Sequence, residues 1–180
     1  MTSFIESSNK ENLFTIKNEI DSISTQLTLL RSEIGFDDYQ LNLLSILYLK
    51  SIVAYNQHSV YESIKIIEQL NGLKDLDDYK WCKTYNFCLI NLLECNKIPQ
   101  AKIGLLKLKN YIYEHSEMLE DEYFILQIQL IELGLYIKEN KPVLAKNTII
   151  DIRNKMLNYM DFDCNSFLLK NIEAKNPKKK

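Results

Sequence analysis

The segment that decides the fold runs from Asp77 to Tyr113 and has the sequence DDYKWCKTYNFCLINLLECNKIPQAKIGLLKLKNYIY. Two acids precede an apolar-periodic run that stops near Asn96, and a second run begins around Pro99. Acids favour the start of a helix because they accept hydrogen bonds from unpaired backbone N–H groups there. Proline is tolerated in the first turn of a helix, where its missing N–H removes no hydrogen bond. The segment therefore predicts an antiparallel helical hairpin.

Related units flank this segment. Two acids followed by a tyrosine occur at Asp37-Asp38-Tyr39, Asp77-Asp78-Tyr79 and Asp121-Glu122-Tyr123, and Asp161-Phe162-Asp163 resembles a degenerate fourth copy. The leading aspartates are 40, 44 and 40 residues apart. Each expected second helix also has an early small residue, with larger apolar residues four and seven positions later on the same face: Ser63, Ile67, Leu70; Ala101, Leu105, Leu108; Ala145, Ile149, Ile152. The spacing favours a repeat.

Composition narrows the class of protein. The chain has 180 residues, 46% apolar and 26% charged, with only 4 Gly and 3 Pro, which is typical of a soluble globular protein and argues against a turn-rich all-β fold. A formal net charge of −2 indicates no strong attraction to nucleic acid or membrane. We find no secretory signal and no apolar run long enough to cross a membrane, so we expect an intracellular protein, cytoplasmic or nuclear. The spacing of the four cysteines predicts free thiols rather than a metal knuckle or a disulfide framework.

These observations predict one all-α domain over residues 10–174, between a flexible N-terminus (1–9) and a basic flexible tail (175–180). The domain is expected to contain hairpins at about 37–72, 77–115 and 121–159, an N-terminal heptad helix, and a short capping helix from about Asp163 to Ile172.

The N-terminal helix carries a heptad stripe, with apolar residues spaced alternately three and four apart and Gly35 expected as the C-cap. Two interpretations remain open: the stripe packs on the first hairpin and caps the domain, or it forms a coiled coil with another chain, giving a homo- or hetero-oligomer. The possible interface consists of Ile16, Ile20, Ile23, Leu27 and Leu30, and the stripe also includes Leu13 and Ile34.

Serial hairpins with an early small residue in the second helix resemble the tetratricopeptide-repeat superfamily over residues 37–159, although 38 to 44 residues per unit exceeds that family's 34. The resemblance implies a right-handed stack of about three hairpins, a TPR-like α-solenoid, whose first helices form a groove for a peptide or helix. Because the groove is apolar, we expect it to be filled by the N-terminal helix, by a second copy or by a partner's helix. Carrying over the family's groove positions gives Tyr48, Ile52, Tyr55, Lys83, Asn86, Ile90, Leu93, Gln127, Leu130 and Ile137, together with Ser45 and Gly134.

Residues for catalysis are scarce. The two histidines, His58 and His115, fall at expected helix ends without metal-spaced partners, and the acid pairs are explained by capping. No phosphate-binding loop, dinucleotide fingerprint or nucleophile elbow is present. We therefore expect no catalytic, cofactor or metal site, and a non-catalytic adaptor or scaffold subunit that binds a protein partner. The alternative is a nucleic-acid-associated subunit that uses the basic tail and the group Lys102, Lys107, Lys109, Tyr111 and Tyr113.

Overall fold

A computed structural model describes residues 2–73, 76–115, 118 and 121–156, with side chains from residue 12 to residue 155 within those ranges. Every regular element there is helical, which confirms the all-α class. The capping helix expected near Asp163, the tail and Cys164 lie outside the described residues. The helices are α1 (Thr2–Leu29), α2 (Phe36–Asn56), α3 (Val60–Leu70), α4 (Asp78–Glu94), α5 (Ile98–Glu114), α6 (Glu122–Lys138) and α7 (Pro142–Met156), with a 3₁₀ turn at Leu30–Ser32.

The chain divides into two compact units, Met1–Lys97 and Ile98–Lys180. In the first unit, α2 contacts α1, α3 and α4, and α3 also contacts α4. In the second unit, α6 contacts both α5 and α7. Each unit is therefore built around one helix, α2 or α6, that is packed by neighbours on more than one side.

Two of the predicted capping acids start helices. Asp77 accepts a hydrogen bond from the Lys80 backbone N–H at 2.8 Å, and Asp121 accepts one from the Tyr123 N–H at 2.8 Å. The prediction was wrong for Asp37, because α2 begins one residue earlier and Asp37 lies in its first turn. Gly35 is correspondingly the N-cap of α2, with φ −58° and ψ 150°, and not the C-cap of the preceding helix.

The same backbone turn follows α2, α4 and α6. In each turn one residue adopts a left-handed conformation: His58 (φ 51°), Asn96 (φ 57°) and Asn140 (φ 54°). The next N–H bonds a carbonyl five residues back in all three cases, at 2.8–2.9 Å. This is the 6→1 bond of a Schellman C-cap, and it satisfies a carbonyl that the helix end leaves unpaired. The same turn therefore recurs along the chain, at intervals of 38 and 44 residues.

The small residues predicted at the helix seams are buried. Ser63 and Ala101 are fully buried, and Ala145 is nearly so. The residues seven positions later, Leu70, Leu108 and Ile152, are all 0% exposed. A small side chain lets neighbouring helices approach closely, and the larger residues fill the seam beside it.

Aromatic packing ties α3 to α4 in the first unit. Trp81 and Tyr85 are fully buried and stacked, with ring centroids 4.9 Å apart. The Trp81 indole N–H donates to the Leu70 carbonyl at the end of α3, at 2.9 Å. Burying a large apolar side chain contributes roughly 1.5–3 kcal/mol, so this pair is a substantial part of the core.

Two ion pairs show the direction of α5 relative to α6. Lys109 bonds Glu132 at 2.7 Å, and Lys102 pairs with Glu139. The paired positions rise on one helix as they fall on the other, so the two helices are antiparallel. The hydrogen bond to Glu132 raises the pKa of Lys109, and the ammonium groups of Lys102 and Lys141 hold the pKa of Glu139 below its ordinary value.

Candidate functional site

An aromatic cluster lies where α2 and α4 pack side by side. The Phe87 ring is 6.1 Å from the Tyr48 ring and 6.1 Å from the Tyr55 ring, centroid to centroid. The Lys80 ammonium group bonds the Ser45 hydroxyl at 3.2 Å. Because the contacting positions rise together along both helices, α2 and α4 are parallel.

The rings of this cluster and the side chains next to them are partly exposed and share one face. Positions 48, 52 and 55 of α2 lie on one side of that helix, as do positions 83, 87 and 90 of α4. We call this surface the aromatic face; it consists of Tyr48, Ile52, Tyr55, Lys83, Phe87 and Ile90.

Five of these six residues are groove positions named from the sequence. Two further named positions, Asn86 and Leu93, are 3% and 1% exposed, so they lie under the face and not on it. Sequence reasoning missed Phe87, although its spacing from Lys83 and Ile90, four and three residues, places it on the same face.

The two ends of the aromatic face differ in charge. At one end the Lys83 ammonium group lies 4.5 Å from the centre of the Tyr79 ring, a cation–π contact. At the other end the Tyr55 hydroxyl donates to Glu94 Oε1 at 3.0 Å, and His58 Nδ1 lies 3.5 Å from Glu94 Oε2. Burial, and then the charge of Glu94, raise the pKa of Tyr55 well above its ordinary value. Tyr55 therefore stays protonated at neutral pH and acts as a hydrogen-bond donor.

The groove positions named for the third hairpin lie in the second unit, on α6. Gln127 and Ile137 are partly exposed, whereas Leu130 and Gly134 are buried. Ile137 lines a groove with residues of α7, at the turn between the two helices.

The heptad stripe of α1 is divided between core and surface. Ile20 and Leu27 are 6% and 9% exposed and pack with Ile46 and Val53 of α2. The alternate positions of the stripe remain exposed at 43–51%: Ile16, Ile23 and Leu30.

The position of α1 shows whether the N-terminal helix covers the aromatic face. At 100° per residue, Ile46 and Val53 lie on the side of α2 opposite Tyr48 and Tyr55. Helix α1 packs on that opposite side. The interpretation in which the N-terminal helix fills the groove is therefore wrong for α2, since α1 covers its other side.

Nucleophilic chemistry is disfavoured at the two buried thiols, Cys82 and Cys88. Cys82, Cys88 and Cys95 are free, and the first two are buried. Burial raises the pKa of the Cys88 thiol to about 12 and raises that of Cys82 as well. Both thiols are therefore protonated at neutral pH, and only a thiolate is an effective nucleophile or metal ligand.

The described residues contain no cluster that could hold a metal ion and no helix that could span a membrane. No group of three or more His, Cys, Asp or Glu side chains there is placed to hold a metal ion. Within the same part of the chain, no helix has both the length and the apolar character required to cross a bilayer.

The lysine group proposed for nucleic acid is partly engaged within the protein. Lys109 pairs with Glu132 of α6, and Lys102 pairs with Glu139, the C-cap of that helix. Tyr111 is 1% exposed, so its ring is covered. Lys107 and Tyr113 remain exposed on α5.

Comparisons of this chain with known protein families, with curated proteins and with solved structures gave no match. Any assignment of function therefore depends on the residues and geometry of this chain.

Proposed function

We propose that this chain is a non-catalytic adaptor or scaffold subunit, built from TPR-like helical-hairpin repeats, that binds a peptide or helix of a partner protein on the aromatic face. The repeat part of the proposal is supported by the three identical turns at His58, Asn96 and Asn140. It is also supported by the directions of the helices. A stack of hairpins requires parallel first helices, and α2 and α4 are parallel.

The partly exposed aromatic face is the observation that carries the binding proposal. Tyr48, Phe87 and Tyr55 form a row of contacting rings, and Tyr55 is also bonded to Glu94. The Lys80–Ser45 hydrogen bond joins the two helices that carry the row. Tyrosine is favoured in binding surfaces because it supplies a large contact area with few rotatable bonds. A row of rings that is already ordered loses little side-chain entropy when a partner covers it.

The charges at the two ends give the face a direction. Lys83 marks one end of the face, and Glu94, with a side chain only 11% exposed, marks the other. An extended peptide or a helix lying along α2 and α4 would meet a cation at one end and an anion at the other. We therefore expect binding in one orientation, with partner acids near Lys83.

Capture of partners from the native source tests this proposal. Tyr48→Glu places a charge in the row of rings on the face, and Tyr61→Glu is the matched control, because Tyr61 lies on α3 and is 71% exposed. We expect a partner protein to be captured by the wild type and by Tyr61→Glu, and to be lost with Tyr48→Glu.

Nuclease treatment distinguishes the protein adaptor from the alternative function, a nucleic-acid-associated subunit. Capture that persists after nuclease supports the protein adaptor. Capture that disappears after nuclease, or that is equal for Tyr48→Glu and Tyr61→Glu, contradicts the proposal, and the nuclease-sensitive result favours a nucleic-acid-associated subunit.

A further inference from the structure

A second candidate surface lies in the other unit, at the turn between α6 and α7. The groove there has a volume of about 550 Å³, and its apolar lining is formed by Tyr136, Ile137, Ala145, Ile149 and Ile150. This volume lies within the range of roughly 300–1,000 Å³ that is typical of binding pockets. Ile150 is 46% exposed, so part of the apolar lining is open to water.

The charges around this groove have one sign. Lys141, Lys146 and Arg153 line it, and among the described residues no carboxylate does so. Glu139, which precedes the lining residue Asn140, pairs with Lys102 and Lys141. Asp151 on α7 lies about 200° around the helix from Arg153, and so on a different side.

Lys146 and Arg153 are spaced to match a second helix. They are seven residues apart, which is two turns or about 10 Å along α7, and both lie on the groove side. At 100° per residue, Ile149 and Ile150 lie on either side of the line through Lys146 and Arg153. A helix lying along α7 can present two carboxylates with the same seven-residue spacing, and apolar residues on both sides of them that cover Ile149 and Ile150.

We propose that the α6–α7 groove binds an amphipathic helix of a partner protein whose apolar face carries two acidic residues seven positions apart. This inference concerns a surface other than the aromatic face and goes beyond the function proposed above. A second copy of this chain is a poorer occupant, because a two-fold pairing through α7 would bring Lys146 and Arg153 of one copy against those of the other. Like charges placed together across an interface oppose association.

Two synthetic helical peptides test the proposal on the full chain. Both carry the same leucine stripe; one has glutamates at two positions seven residues apart, and the other has lysines there. In fluorescence anisotropy at low salt, we expect the glutamate peptide to bind at least tenfold more tightly than the lysine peptide. The double variant Lys146→Glu/Arg153→Glu is expected to reverse this preference. Equal affinities, or no binding of the glutamate peptide at millimolar concentration, would overturn the proposal.

Control variants locate the site. Lys107→Glu changes an exposed lysine of α5 that does not line the groove, and it is expected to alter the affinity for the glutamate peptide less than twofold. Tyr48→Glu should also leave that affinity unchanged. If Tyr48→Glu abolishes peptide binding and the α7 variant does not, this inference fails while the aromatic-face proposal stands.

Ile150→Glu, measured without peptide, tests whether the groove is instead filled by the chain's own residues or by a second copy of the chain. We expect its melting temperature and its mass by light scattering to equal those of the wild type. A fall of several degrees would show that the chain's own residues fill the groove. A wild-type dimer that Ile150→Glu dissociates would show that a second copy fills it. Either result overturns the proposal.

Discussion

Replacing Asn91 with alanine should destabilise the first unit more than its single side chain suggests. Asn91 lies on α4 and is 0% exposed. Its side-chain NH₂ group is 2.8 Å from the Ser63 hydroxyl, 3.0 Å from the Ser59 carbonyl and 3.3 Å from the Ala54 carbonyl. One amide of α4 thus bonds the end of α2, the N-cap of α3 and the first turn of α3.

The loss of stability expected for Asn91→Ala depends on which hydrogen bonds the acceptors keep. The Ser59 carbonyl keeps a bond from the Ser63 N–H, and the Ala54 carbonyl keeps one from the Ser59 N–H, so neither is left bare. The amide NH₂ group has two N–H donors, so it makes two full hydrogen bonds among the three acceptors. Losing these two bonds removes about 1–3 kcal/mol, at roughly 0.5–1.5 kcal/mol each. The space left by the amide adds a cavity term, so we expect Asn91→Ala to cost about 2–4 kcal/mol.

Urea unfolding monitored by the fluorescence of Trp81, the only tryptophan, reports on this unit. With a slope of about 1–3 kcal/mol per molar urea, the midpoint should fall by about 0.7 M or more. Asn56→Ala is the control, because Asn56 is exposed and bonds only the Ile52 carbonyl of its own helix; it should cost less than about 0.5 kcal/mol.

A double-mutant cycle isolates the shortest of these bonds. Ser63→Ala combined with Asn91→Ala should cost about 1 kcal/mol less than the sum of the two single changes. The explanation would be refuted if Asn91→Ala cost no more than Asn56→Ala, or if the two changes at positions 63 and 91 were additive.

Three further predictions concern stability and reactivity. Ile20→Asp should lower the free energy of unfolding in urea by about 3 kcal/mol or more, because it buries a charge, whereas Ile23→Asp should cost under about 1 kcal/mol, since Ile23 is 51% exposed; if Ile23→Asp also dissociates an oligomer in sedimentation, the exposed stripe is an interface. In thermal unfolding, Asn140→Ala should be less stable than Asn140→Gly by about 1 kcal/mol, because alanine is strained at φ 54°; equal stabilities would count against the turn geometry. At pH 7.5, iodoacetamide should modify the half-buried Cys95 and spare Cys88, whose thiol is buried with a pKa raised to about 12, as peptide mapping by mass spectrometry will show.

Local chemistry explains which features of the fold could be predicted from the sequence. Asp77 and Asp121 start helices because a carboxylate next to unpaired N–H groups is a local signal. Gly35 was placed at the wrong helix end because glycine is compatible with both a C-cap and an N-cap, and here it precedes α2.

The sequence does not show which side chains will be covered by neighbouring helices. The heptad pattern groups Ile16, Ile20 and Ile23 on one stripe of α1. Helix α2 covers only part of the width of that stripe, so Ile20 is buried whereas Ile16 and Ile23 remain exposed. The same limit applies to Asn91, since an asparagine in an apolar run carries no local mark that its amide will be buried. Phe87 was missed because the groove positions were transferred from a family pattern, and that pattern does not include its position.

The recurring turn has a consequence for how the chain tolerates changes in length. Segments 71–77 and 115–121, which follow α3 and α5, are both seven residues long, and α4 and α6 are both 17 residues long. The whole difference between the spacings of the turns therefore lies in the helices between them, 11 residues in α3 and 17 in α5. Six extra helical residues add about 9 Å and rotate the exit of the chain by about 240°. If the hairpins descend from a duplicated ancestor, insertion or deletion was accepted inside a helix, while the lengths of the two connecting segments were preserved.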